Sequence, residues 1–187
     1  MMTVITGGSG SGKSAYAENY ICERSGTRHK YYIATMKVSD TEGEKRIERH
    51  RRMRQGKGFI TIEQPTDIRK LVEKLEDLRY AGDQPAALLE CMSNLVANEM
   101  FQEDDKGTPE IVDTDTVCQK ISEGIRLLRD SFKELVIVTN NVFEDGRKYD
   151  AATMEYLKAM GLINQEIAAM ADRVIEVVVG IPVRIKG

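Results

Sequence analysis

The 187 residues carry 27 Lys and Arg against 30 Asp and Glu, a net charge of −3, with 41% apolar, 30% charged and 6% aromatic residues and no Trp. A chain of this size reads as a single domain over 1–187 that buries most of the surface its unfolded form exposes, which excludes disorder, collagen and disulfide scaffolds. The slightly acidic balance argues against a nucleic-acid binder held through the phosphate backbone.

From the amino end, the apolar run Thr3–Thr6 leads directly into Gly7-Gly8-Ser9-Gly10-Ser11-Gly12-Lys13-Ser14, and helical spacing follows over Ser14–Arg24. Further strand-length apolar runs stand at Tyr31–Thr35, Phe59–Glu63, Ala86–Cys91, Leu135–Thr139 and Val174–Val179. Helical spacing recurs between them at Glu42–Gln55, Thr66–Tyr80, Ser93–Glu103, Thr116–Phe132 and Ala151–Asp172, with Gly161 expected to break the last. Gln102–Thr114 is expected to be a loop. Strand and helix alternate, which predicts an α/β fold with a mostly parallel sheet buried on both faces. The end of the chain, Val174–Val179, Gly180-Ile181-Pro182 and Val183–Lys186, reads as a hairpin adding an antiparallel edge strand.

The glycine-rich stretch satisfies G-x-x-x-x-G-K-[ST] between a strand and a helix, the setting in which its backbone N–H groups cradle phosphates. Gly7, Gly8, Ser9, Gly10, Ser11 and Gly12 therefore form a candidate nucleotide loop, against the plain alternative of a flexible Gly/Ser turn. Lys13 is expected at the β- and γ-phosphates and the Ser14 hydroxyl on Mg²⁺. The motif marks a triphosphate site and leaves the reaction open. A guanine-reading N-K-x-D stretch is absent. Glu90, ending an apolar strand, is the candidate second ligand for Mg²⁺; its alternative is a solvated strand-end carboxylate.

Between Lys45 and Lys57 stand seven Lys or Arg, one Glu and His50. This run reads as a solvated helix face, a nucleic-acid patch or a polyphosphate-binding surface. The nucleic-acid reading is weakest, because no aromatic residue is interleaved. On the polyphosphate reading the surrounding cations disfavour imidazolium, leaving His50 neutral and nucleophilic toward an α-phosphate, with arginines such as Arg51 and Arg54 binding the nucleotide. His29, in Arg28-His29-Lys30, reads as a surface residue. Cys22, Cys91 and Cys118 lack C-x-x-C spacing, so reduced thiols are expected. No apolar run is long enough to span a bilayer and the amino end lacks a signal-peptide pattern, so a cytoplasmic location is expected.

The loop, Tyr32-Ile33-Ala34-Thr35, Arg46-Ile47-Glu48-Arg49-His50-Arg51, Thr61-Ile62-Glu63-Gln64-Pro65, Leu88-Leu89-Glu90-Cys91-Met92-Ser93 with Asn98, and Gly161-x-x-Asn164-Gln165 through Val179-Gly180-Ile181-Pro182 occur in one order. Together they resemble the bifunctional adenosylcobinamide kinase/adenosylcobinamide-phosphate guanylyltransferase family, nearly end to end. The resemblance implies a recombinase-like phosphate-loop NTPase fold and a homotrimer. It implies two reactions: phosphorylation of adenosylcobinamide by ATP or GTP, then transfer of GMP from GTP through a guanylylated histidine, for which His50 stands in position. It also implies GTP contacts from Ala34, Thr35, Met36, Glu63 and Glu90, a nucleotide triphosphate and a corrinoid as small-molecule substrates with no nucleic-acid partner, and Mg²⁺ as cofactor. The sequence departs from the family over Asn141–Lys158, where Asn141 replaces a carboxylate and Met154 and Leu157 replace basic residues. A relative with one activity lost or a changed acceptor, and a nucleotide-binding regulatory protein without turnover, are the alternatives.

Overall fold

A computed structural model of the chain describes residues 1–37, 48, 52, 54–72, 84–103, 107–142 and 149–187. The first half comprises β1 (Met2–Thr6), α1 (Lys13–Ser25), β2 (Lys30–Ala34), β3 (Phe59–Glu63), β4 (Ala86–Glu90) and α2 (Met92–Met100). The second comprises β5 (Phe101–Glu103), β6 (Pro109–Ile111), α3 (Thr114–Ser131), β7 (Glu134–Val138), α4 (Ala151–Met170), β8 (Arg173–Val178) and β9 (Ile181–Lys186). The helices expected over Glu42–Gln55 and Thr66–Tyr80 fall largely outside the described residues, although Glu48, Arg52 and Arg54 are helical.

Seven strands form one sheet in the order β3-β2-β4-β7-β1-β8-β9. The first six are mutually parallel and β9 runs antiparallel to β8, as the sequence predicts. The two-residue alternation of each strand divides its side chains between two cores. Val4, Ile33, Leu89, Ile137 and Val174 pack beneath α2, α3 and α4, whose buried stripes include Leu95, Ile121, Ile125, Ile163 and Ile167. Ile5, Tyr32, Leu88, Val136 and Ile175 face the opposite way, toward Ala17 and Ile21 of α1. Each fully buried Leu or Ile contributes about 1.5–3 kcal/mol, so these interleaved sets hold the strands in register. β9 is exposed along its whole length, and Pro182 with Arg184 and Lys186 suits it to an edge.

Two expectations are corrected. Gly161 does not break its helix: α4 is continuous from Ala151 to Met170. Glycine costs about 1 kcal/mol in a helix interior, less than the burial of Met160, Ile163 and Ile167 around it provides. The segment Gln102–Thr114 is not simply a loop, because α2 stops at Met100 and β5 and β6 pair as a short antiparallel ribbon, Phe101 opposite Ile111. Asp113 then caps α3 by accepting from the Thr116 N–H at 2.9 Å, and Asp150 caps α4 by accepting from the Thr153 N–H at 2.9 Å. The amino end of α4 is thereby set at the carboxyl edge of the sheet, beside the glycine-rich loop.

Candidate active site

The loop between β1 and α1 folds as its composition requires. A Cβ at position 7 would lie 2.6 Å from the Val177 carbonyl oxygen and 2.7 Å from Ser11 Oγ, so only glycine lets the loop pass β8 this closely. Gly12 takes φ +90° just before α1 begins at Lys13. The Ser11 carbonyl accepts from the Gly180 N–H at 2.8 Å, tying the loop to the β8–β9 turn. Inside it, Ser11 Oγ is buried without a hydrogen-bond partner, and Lys13, a residue 9% exposed, donates through Nζ to the Gly8 carbonyl at 3.0 Å. Burial lowers the Lys13 pKa, a shift opposed by Cys91 and Glu90 nearby. A loop that turns a lysine inward and leaves a hydroxyl unmatched is prepared for an anion.

A cavity of about 250 Å³ opens beside this loop above the carboxyl ends of β2, β3, β4 and β7. Ser9, Lys13, Ser14 and Glu90 line it, joined by Ala34, Met36, Arg54 and Glu63. Gly7 and Gly12 shape the loop, while Gly8, Gly10 and Ser11 face a second groove on its outer side. Thr35 is fully buried behind the cavity wall: its hydroxyl donates to the Cys91 carbonyl at 2.8 Å and accepts from the Cys91 N–H at 2.7 Å. Asn98 reinforces this wall by donating to the carbonyls of Thr35 at 2.7 Å and Pro65 at 2.9 Å. His50 and Arg51 lie outside the described residues. His29 is exposed at the start of β2, the opposite end of the sheet, as the sequence predicts.

Three side chains in the cavity form a stack. Tyr32 is 3% exposed and its hydroxyl donates to Glu90 Oε2 at 3.1 Å. Burial, reinforced by the Glu90 carboxylate, pushes the phenol far above its ordinary pKa and keeps it a donor. The Arg54 guanidinium lies 3.5 Å from the Tyr32 ring centroid, and the residue is 8% exposed. Among the described residues this ring is its one partner, and no hydrogen bond or ion pair engages its five N–H donors. Three residues further on, Lys57 donates to Glu18 Oε2 at 2.7 Å and to Asn19 Oδ1 at 3.1 Å, anchoring the end of the basic run to α1. Two buried cations, Lys13 and Arg54, thus border a space that also holds the carboxylates Glu90 and Glu63.

The oxygen donors Ser14 and Glu90 suit a hard cation shared with phosphate oxygens, the usual coordination of Mg²⁺. Tyr32, Ser93 and Asn140 are site residues that sequence reasoning did not select; Asn140 Nδ2 donates to Ser93 Oγ at 2.6 Å, and Cys91 Sγ lies 3.0 Å from the same oxygen. Asn140 follows β7, the strand between the loop strand β1 and the Glu90 strand β4, and a polar residue at that edge was the available signal. Among the described residues no helix is long and apolar enough to cross a membrane.

A sequence model of the cobinamide kinase / cobinamide phosphate guanyltransferase family matches residues 3–185. The chain is 33% identical over 192 residues to the bifunctional adenosylcobalamin biosynthesis protein CobU of Escherichia coli, covering 100% of both chains. It is 31% identical over 190 residues to CobU of Salmonella typhimurium, again covering both, and 28% identical over 187 residues to CobP of Pseudomonas aeruginosa, covering 98% of that protein. Among solved structures it resembles an ATPase domain with a TM-score of 0.56 and 13% identity, over 94% of this chain and 68% of the other. It resembles a DnaB-like replicative helicase with a TM-score of 0.56 and 10% identity, over 94% of this chain and 46% of the other. These two likenesses establish a phosphate-loop, recombinase-like fold.

Proposed function

The chain belongs to the cobinamide kinase/cobinamide phosphate guanyltransferase family, and on that premise we propose that it catalyses both reactions, with the 250 Å³ cavity as the phosphate site of the kinase step. The observation that carries this reading is Arg54, a buried guanidinium without a hydrogen-bond acceptor among the described residues, facing the same space as Lys13 and Ser14. A buried cation is costly unless paired, and a terminal phosphate supplies the missing acceptors.

In the first reaction the side-arm hydroxyl of adenosylcobinamide attacks the γ-phosphorus of ATP or GTP. A new P–O bond forms, the bond from phosphorus to the β–γ bridging oxygen breaks, and the hydroxyl proton passes to solvent. Lys13, Arg54 and the loop N–H groups neutralise charge on the β- and γ-oxygens. Bound Mg²⁺ supplies further neutralisation, and Ser14 and Glu90 are the residues that would hold it. In the second reaction neutral His50 attacks the α-phosphorus of GTP, a P–N bond forms and pyrophosphate departs. A phosphate oxygen of adenosylcobinamide phosphate then attacks that phosphorus, the P–N bond breaks, and adenosylcobinamide-GDP is released with His50 restored. The cations flanking His50 in sequence favour its neutral form before attack. The protein acts as a single-domain homotrimer in the cytoplasm on this reading.

Separate assays test it. Transfer of γ-label from ATP or GTP to adenosylcobinamide, and of α-label from GTP to adenosylcobinamide phosphate, are both expected. Lys13→Ala should abolish the first. Loss of one transfer in the unaltered chain would identify a relative specialised by its departures over Asn141–Lys158, and loss of both would refute the reading.

A further inference from the structure

Resting on the function proposed above, we infer that the corrinoid ring of the acceptor occupies the groove on the outer side of the phosphate loop. This groove, of about 920 Å³, runs between the loop, the start of α4 and the end of β8. Ser9 and Asn140 line both it and the 250 Å³ cavity, so the two spaces meet at the loop. Tyr156 strengthens the junction: its hydroxyl donates to the Ser93 carbonyl at 3.3 Å, while Ser93 Oγ accepts from Asn140. A substrate arm entering across Ser9 and Asn140 reaches the phosphate cavity from outside, leaving the macrocycle in the larger space.

The lining chemistry selects the occupant. The described residues of the groove include no Lys, Arg or His, and one carboxylate, Glu176. Among these described residues triphosphate meets no counter-charge. Tyr149, 39% exposed, and the exposed Val178 and Val179 offer flat apolar contact, with Leu157 half-buried on the same wall. Asn141 and Thr153 add neutral donors and acceptors. A broad ring with an apolar face and an amide fringe, the chemistry of cobinamide, matches this combination.

The test measures two affinities in the full-length protein: cobinamide by equilibrium dialysis, read from the corrin's own visible absorbance in the presence of a non-hydrolysable Mg–ATP analogue, and a fluorescent Mg–ATP analogue alone. Tyr149→Ala and Leu157→Glu should each weaken cobinamide binding about tenfold or more and leave nucleotide binding unchanged within about twofold. Met154→Ala, on the exposed side of α4, should change neither. Circular dichroism melting establishes that each variant is folded. Weakened nucleotide binding with cobinamide binding retained would assign the groove to the nucleoside and overturn the inference, as would retention of both. Absence of cobinamide binding by the unaltered protein would instead overturn the functional reading itself.

Discussion

Replacing Arg54 with Met separates an anion-binding residue from a structural one by the sign of its effect. Arg54 is 8% exposed and its guanidinium is stacked on Tyr32, with no hydrogen bond or ion pair to that guanidinium among the described residues. Desolvating an unpaired guanidinium costs several kcal/mol, and a desolvated cation–π stack offsets about 2 kcal/mol of it. Methionine keeps most of the packing volume over the ring without the charge. The ligand-free variant should therefore gain roughly 1–2 kcal/mol, a rise of about 2–8 °C in Tm for a chain of this length. Mg–ATP affinity should fall about 10- to 150-fold, the loss of charge-assisted hydrogen bonds worth about 1.5–3 kcal/mol. Thermal unfolding across a nucleotide titration reads both quantities, since the ligand-induced rise in Tm should shrink while the starting value climbs. A variant that loses stability without ligand and binds Mg–ATP unchanged would refute the reasoning.

Three further outcomes follow from the same geometry. Because burial holds Lys13 below its ordinary pKa of 10.5 and phosphate oxygens would raise it, nucleotide binding should take up a proton at alkaline pH and weaken as pH rises through the lowered value. Without ligand the sign is opposite: the desolvated ammonium costs stability below its lowered pKa, and that cost is relieved as pH climbs toward 10.5. Calorimetry in buffers of different ionisation enthalpy should show the uptake, and Lys13→Met should remove it. Tyr32→Phe deletes the donor to Glu90 and keeps the ring under Arg54, so it should cost about 1–2 kcal/mol in denaturant unfolding, with a smaller cost in a Glu90→Gln background. Gly7→Ala places a methyl group 2.6 Å from the Val177 carbonyl oxygen. It should destabilise by about 1–3 kcal/mol and weaken Mg–ATP binding, as the loop moves away from β8.

Much of the fold was legible because its determinants are local. Runs such as Ala86–Glu90, buried at every position, suit the interior of a parallel sheet covered on both faces, and the glycine-lysine loop carries its geometry in its own residues. Gly161 misled because propensity is a weak force beside the burial of Met160 and Ile163. The β5–β6 ribbon escaped notice because three-residue strands leave too short an alternation to detect. Asp113 and Asp150 were readable in principle as helix caps three residues before Thr116 and Thr153. In the site, Lys13, Ser14 and Glu90 follow from motif position. Arg54 stands among seven cations between Lys45 and Lys57, and its placement over Tyr32 depends on packing between segments distant in sequence. Thr35 reads as a site residue by its neighbours, yet hydrogen bonding to Cys91 turns its hydroxyl into the wall.

The most direct test of the two-reaction account is a covalent one. Incubation with α-labelled GTP and Mg²⁺ should leave label on the protein that is stable to base and lost in acid, as a phosphoramidate requires. The label should pass to added adenosylcobinamide phosphate and be absent from His50→Ala. A fully folded chain that binds GTP but acquires no label, or a His50→Ala variant labelled as strongly as the unaltered protein, would contradict it.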